Sequence, residues 1–194
     1  FFKQKTAYEI STRDWSSDVC SSDLKAPAVS IELDATTLLR RADGSTYTGI
    51  STELGTWKDP AGHELPKRLD PEGIRRLPNG NYLLSEEYLP AVVEFKPDGS
   101  FVRNWPVPDR YVCTHPGKDE DAELPPHNAS GRQPNKGFEG LAVTPSGEAW
   151  VLLQDPLVQD GALSKKNKLV GHSIRMLRLG KAASDPTEIG RAHV

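Results

Sequence analysis

Short apolar runs separated by Gly- and Pro-containing turns recur along this chain, and within the runs apolar and polar residues alternate with a period near two. That rhythm belongs to β-strands with one face buried. The clearest stretch, "EGIRRLPNGNYLLSEEYLPAVVEFKPDGSFVRNWPVP", divides into "GIRRL", "NYLLSEE", "AVVEF" and "SFVRNW", with turns at Pro78-Asn79-Gly80 and Pro97-Asp98-Gly99. Asn-Gly and Asp-Gly tolerate the positive φ that tight hairpins require. Four short strands in so little chain predict one antiparallel meander. Upstream, "VSIEL" from Val29 reads as a strand, and "DATTLLRRA" suits two turns of helix as well as it suits a strand. No long segment carries a helical period. An α/β fold would need helices between the strands, so the class is all-β.

After the meander comes "DRYVCTHPGKDEDAELPPHNASGRQPNK" (residues 109–136), polar, Pro-rich and without period. A loop of this length inside a domain is either functional or mobile. The strand pattern then resumes in "NKGFEGLAVTPSGEAWVLLQDPL" and "HSIRMLRL", and it resumes as a copy. Glu72-Gly73-Ile74 aligns with Glu139-Gly140-Leu141. Pro78 and Gly80 align with Pro145 and Gly147, and Glu87 aligns with Gln154. A repeated unit of four short strands joined by hairpins is the signature of a β-propeller blade. The chain is therefore expected to hold about three four-stranded blades of a larger ring.

The two ends break the pattern. "FKQKTAYEI" and "DWSSDVCSSDL", flanking "STR", and "IGRAHV" at the other end resemble translated sequencing adapter. Residues 1–24 and 189–194 are accordingly set outside the domain, which runs over 25–188 with Glu188 at the junction. The domain is then expected to be an internal piece of a longer gene product, in which a missing signal peptide carries no information. An incomplete ring exposes strand edges, so the isolated chain is expected to aggregate or fold only in part.

Charge and cysteine content narrow the partners. Lys and Arg number 24 against 27 Asp and Glu, which gives no basic footprint for nucleic acid or an anionic membrane. No apolar run approaches the ~18 residues of a spanning helix. With Cys20 in the discounted head, Cys113 stands alone and supports neither an internal disulfide nor a Cys-type zinc site.

In a propeller the innermost strand of each blade lines the central channel, so residues that open this strand in successive blades converge. Glu72 and Glu139 hold such positions. Gathered carboxylates repel one another unless a proton or cation lies between them, and their hard oxygens suit Ca²⁺ or another divalent ion. The glycine after each Glu permits close backbone approach. Glu87, Gln154 and the side-chain carbonyl of Asn135 are further candidates. The competing explanation is that each Glu braces its blade by accepting backbone N–H groups, and that Asn135 serves a turn. Cys113, His115 and His127 match no standard zinc spacing. "NAS" at Asn128 is a glycosylation sequon, and "KDEDAE" reads as a solvated loop. There is no "GxSxG" and no phosphate-cradling glycine loop.

The segment from Asp70 to Leu157 resembles the phytase-like family, also described as esterase-like activity of phytase. Glu72, Glu87-Tyr88 with Pro90, Asn135, Phe138-Glu139-Gly140, and Gln154 with Pro156-Leu157 match its pattern in order, while Leu89 departs from a common Gly. The resemblance implies a β-propeller, commonly in exported bacterial proteins, acting on a small-molecule ester or phosphoester. Its implied site has Glu72 and Glu139 as catalytic residues, Gln154 and Tyr88 binding substrate, and Glu72, Glu87, Asn135 and Glu139 holding Ca²⁺. A lactonase-like propeller is a close variant. A propeller without catalysis, binding a ligand or partner through the long loop, is the alternative from another class.

Overall fold

The computed structural model describes residues 35–50, 52–117, 121–161, 171–180 and 187–193. The chain divides into two units after Thr37, and nearly all of the first unit lies outside these residues. So do "VSIEL" and the N-terminal adapter-like segment.

Three antiparallel sheets form the second unit. The first is a hairpin of β1 (Thr56–Lys58) and β2 (Glu64–Pro66). The next two are meanders in simple sequence order: β3 (Pro71–Arg76), β4 (Tyr82–Glu86), β5 (Ala91–Phe95) and β6 (Phe101–Trp105), then β7 (Phe138–Val143), β8 (Ala149–Leu153), β9 (Ser173–Leu179) and β10 (Thr187–His193). The expected blades around Glu72 and Glu139 are thus both present with four strands each, although the fourth strand of the second, β10, runs through residues 189–193, which the sequence reading sets outside the domain. The N-terminal region supplies two strands and isolated bridges at Arg40 and Thr48. Of "DATTLLRRA", the described residues 35–42 are neither helix nor strand, apart from the bridge at Arg40.

One turn chemistry closes the hairpins. At Gly62, Gly80, Gly99 and Gly147 the glycine lies at φ between 82° and 89°, and its N–H donates to the carbonyl three residues back. Asn79 and Asp98 stay at negative φ and instead accept the N–H of Asn81 and Ser100 with their side chains. Only the glycine enters the left-handed region. These are three-residue hairpins, not the two-residue type in which both central residues need φ > 0.

The middle strands of the first blade, β4 and β5, are buried on both faces. Leu83, Val92 and Trp105 face the second blade, meeting Phe138, Leu141, Val151, Leu153 and Leu177. Leu84, Val93 and Phe95 face the N-terminal region, with Leu65, Trp57 and Tyr47. On that side Tyr47, Trp57, Phe95 and Phe101 form edge-to-face pairs 5.1–6.4 Å apart. Each fully buried large side chain contributes about 1.5–3 kcal/mol relative to exposure. These two layers fix the inner strands β3 and β7 beside each other.

The long connection from β6 to β7 turns its polar groups inward. Arg132 and Gln133 are each 1% exposed and Tyr111 is fully buried. Asn128, also buried, accepts from His115 N–H at 2.8 Å and donates to the His115 carbonyl at 2.9 Å. The sequon asparagine is therefore consumed by the fold and is not offered as a glycan acceptor. Within "KDEDAE", Asp121 is exposed, but Glu123 is buried and paired with Arg132, a correction to the solvated reading. Among the described residues no helix is long and apolar enough to cross a membrane.

Candidate functional site

Strand register explains why Glu72 and Glu139 are special. In β3, Pro71 pairs with Glu86 and Gly73 with Ser85; in β7, Phe138 pairs with Leu153 and Gly140 with Leu152. Glu72 and Glu139 are each the extra residue of a β-bulge. Bulges re-aim a side chain out of the pleat and are common beside active sites. The equivalence continues in the backbone, since Glu87 N–H donates to the Asp70 carbonyl and Gln154 N–H donates to the Gly137 carbonyl. Asp70, Glu72 and Glu87 in one blade thus correspond to Gly137, Glu139 and Gln154 in the next.

The two sets differ in what they carry. Asp70, Glu72 and Glu87 each present a carboxylate oxygen, all within 4.8 Å of one another. In the second blade the place of Asp70 is taken by Gly137, where a Cβ would overlap the Glu87 backbone. A glycine is the condition for docking the blades at this point. After Glu72, Gly73 has the same use, as a Cβ there would stand 2.7 Å from Leu141 Cβ.

Electrostatics mark the group as strained. Burial, then repulsion from Glu139 and Asp70, pushes Glu72 up to about 7. Burial, then the charges of Asp70, Glu72 and Glu139, pushes Glu87 up to about 8, with Lys136 opposing. Asp70 is raised by burial, against a hydrogen bond from Tyr88 and the charge of Arg68. Four acidic side chains share this corner with too few donors, the arrangement a proton or cation relieves.

Backbone bracing, the competing explanation for the repeated glutamates, is performed by Glu86. Its carboxylate, 1% exposed, accepts from the N–H groups of Asp70 at 3.2 Å, Tyr88 at 2.9 Å and Leu89 at 2.8 Å. It thereby fixes the two segments that carry Asp70 and Glu87. Asn135 is exposed at φ 53° in the turn from Gln133 to Lys136, a place that its backbone conformation accounts for. Gln154 has a buried side-chain oxygen with no hydrogen-bond partner, and Tyr88 is half-buried beside Asp70. Cys113 is buried and its thiol is pushed up by burial, while His115 and His127 are exposed; they form no metal-ligating group with one another among the described residues.

Asp70 was missed by pattern reading, although a signal existed. Two residues before Glu72, it shares the same face of an extended segment. A cavity of about 530 Å³ lies at the other end of the inner strands, between the turns at Pro78 and Pro145, and none of the acidic residues lines it. The acidic groups gather instead at the head of β3.

Two stacked four-stranded meanders, with bulged glutamates opening neighbouring inner strands, define a segment of a β-propeller. Within that class the chain belongs to the phytase-like family, described as esterase-like activity of phytase, whose model matches residues 12–191. It is similar to an uncharacterized secreted protein of Arthroderma benhamiae, at 28% identity over 82% of this chain and 37% of that protein. The chain spans little more than a third of the length of this relative.

Proposed function

We propose that the acidic corner at the head of β3 is a divalent-cation site of an exported hydrolase of phosphoric or carboxylic esters. The observation that carries this reading is the convergence of Asp70, Glu72 and Glu87, with the charge of Glu139 close to Glu72 from the neighbouring blade. The donor set fits the group, being all oxygen and destabilised by its own charge, and oxygen-rich sites favour Ca²⁺ or Mg²⁺ over softer metals. Asp70, Glu72 and Glu87 would hold the ion. A cation so held supplies Lewis-acid polarisation of a phosphoryl or carbonyl oxygen and an acidified water.

The chain's own groups do the rest. Glu139, close to Glu72 from the neighbouring inner strand, is placed to take a proton from a water at the corner. Glu86 keeps Asp70 and Glu87 at fixed separation through their backbone. Tyr88 and Gln154 flank the corner as substrate contacts, and Asn135 is left to its turn. Export is supported by the secreted relative.

The test is hydrolysis of phytate, simple phosphomonoesters, carboxylic esters and lactones by the whole gene product, with Ca²⁺ and then with chelator. Chelator-sensitive turnover that Glu139→Gln abolishes while the protein stays folded is the expected result. Full activity of Glu139→Gln would remove Glu139 from catalysis. A folded protein without turnover on any of the four classes would favour the ligand-binding propeller.

A further inference from the structure

The long β6–β7 connection reaches the acidic corner through a single buried carboxylate. Glu123 forms a two-point pair with Arg132, one contact from each oxygen, and its Oε1 lies 4.0 Å from Arg68 Nη2. Both arginines then close on Tyr88. Arg132 Nε donates to the Tyr88 carbonyl at 2.5 Å, and the Arg68 guanidinium lies 4.2 Å from the centre of the Tyr88 ring. The Tyr88 hydroxyl lies beside the Asp70 carboxylate. Glu123, Arg132 and Arg68 are each 5% exposed or less, so none of these contacts is a mobile surface pair.

We propose that Glu123 is a positioning residue for the acidic corner, clamping Tyr88 between two arginines so that its hydroxyl orients the Asp70 carboxylate. Tyr88 is gripped at its carbonyl and its ring face, which leaves the hydroxyl one direction in which to point. A planar guanidinium suits both tasks, as a bidentate partner of a carboxylate and as a cation stacked on an aromatic face. The role given to Asp70 rests on the cation-site reading above; the clamp itself does not.

Two measurements on the whole protein separate these layers. The first is NMR of ¹³C-labelled tyrosine rings, with Tyr88→Phe assigning the Tyr88 signals. Glu123→Gln is expected to shift the Tyr88 ring signals and to remove their contact with the Arg68 side chain; unchanged signals would overturn the clamp. The second is calorimetric titration with Ca²⁺ alone. Glu123→Gln is expected to weaken binding about tenfold or more, as loss of an outer support of a metal ligand does. In the Tyr88→Phe background the same change should cost nothing further, because both act on one contact. Unchanged affinity, or additive losses, would overturn the link to Asp70. Should the parent protein bind no Ca²⁺, the cation-site reading fails and the ring signals alone decide the clamp. If Glu123→Gln does not fold, Arg68→Met removes the ring contact and spares the buried pair. It must move the same signals, and unmoved signals again overturn the proposal.

Discussion

Glu94 and Glu87 lie in the same blade and are both buried, yet their surroundings are opposite. Glu94 accepts from Asn79, Asn81, Arg103 and Trp105 side chains at 2.7–3.1 Å. Burial works against its charge, but those four donors hold its carboxyl below the usual range. Glu87 has carboxylates for neighbours, and both burial and repulsion push it up to about 8. The fold can therefore satisfy a buried glutamate, as it also does for Glu123 through Arg132, whereas burial still pushes Glu86 up to about 7 against its three backbone donors. Where it leaves several acidic groups facing one another, stability has been given up at one place, and such places are candidates for function.

The comparison breaks most readily at the satisfied end. Arg132→Ala should destabilise by about 3–5 kcal/mol, because it strands Glu123 as a buried charge. Chemical denaturation measures this, and a loss under ~1 kcal/mol would show that the pair is dispensable. At the strained end Ca²⁺ should act in the opposite direction. At a hundredfold excess over its Kd it should stabilise by about 2.7 kcal/mol, with Asp70→Asn removing the effect. A melting temperature indifferent to Ca²⁺ and chelator would mean that the corner holds no cation.

Smaller effects sharpen the same contrast. Gly137→Ala should cost about 1–3 kcal/mol through overpacking against the Glu87 backbone, and it should also weaken Ca²⁺ binding by displacing Glu87. Equal stability with weakened binding would confine the effect to the site. The finest test is pH. In chelator the folded chain keeps protons on Glu72 and Glu87 that the unfolded chain releases near 4.5. The folded state thus binds more protons, and stability should fall as pH rises from about 4.5 to about 8. Glu87→Gln should make this slope shallower and raise stability at pH 8, whereas an unaltered slope would be incompatible with a strained Glu87.

Much of the fold was legible because it is local. Strand limits for "AVVEF" and the turns at Gly80, Gly99 and Gly147 follow from an apolar run bounded by turn residues and from glycine's freedom at positive φ. The repeat aligned Glu72 with Glu139 and Glu87 with Gln154, and the bulges and backbone hydrogen bonds keep that alignment. What the pattern did not reveal depends on contacts across long sequence separations. Arg132 finds Tyr88 44 residues away, and no periodicity encodes such a pairing.

The sequence by itself determined the all-β class, the blade repeat and which glutamates would open the inner strands, since each depends on neighbours within a hairpin. Only the tertiary structure decided which carboxylates would be satisfied and which would be left facing one another. Glu86 and Glu87 are adjacent and chemically identical, but Glu86 ends β4 and Glu87 begins the turn that follows. Glu86 met backbone N–H groups; Glu87 met Asp70 and Glu72 at the seam between two blades.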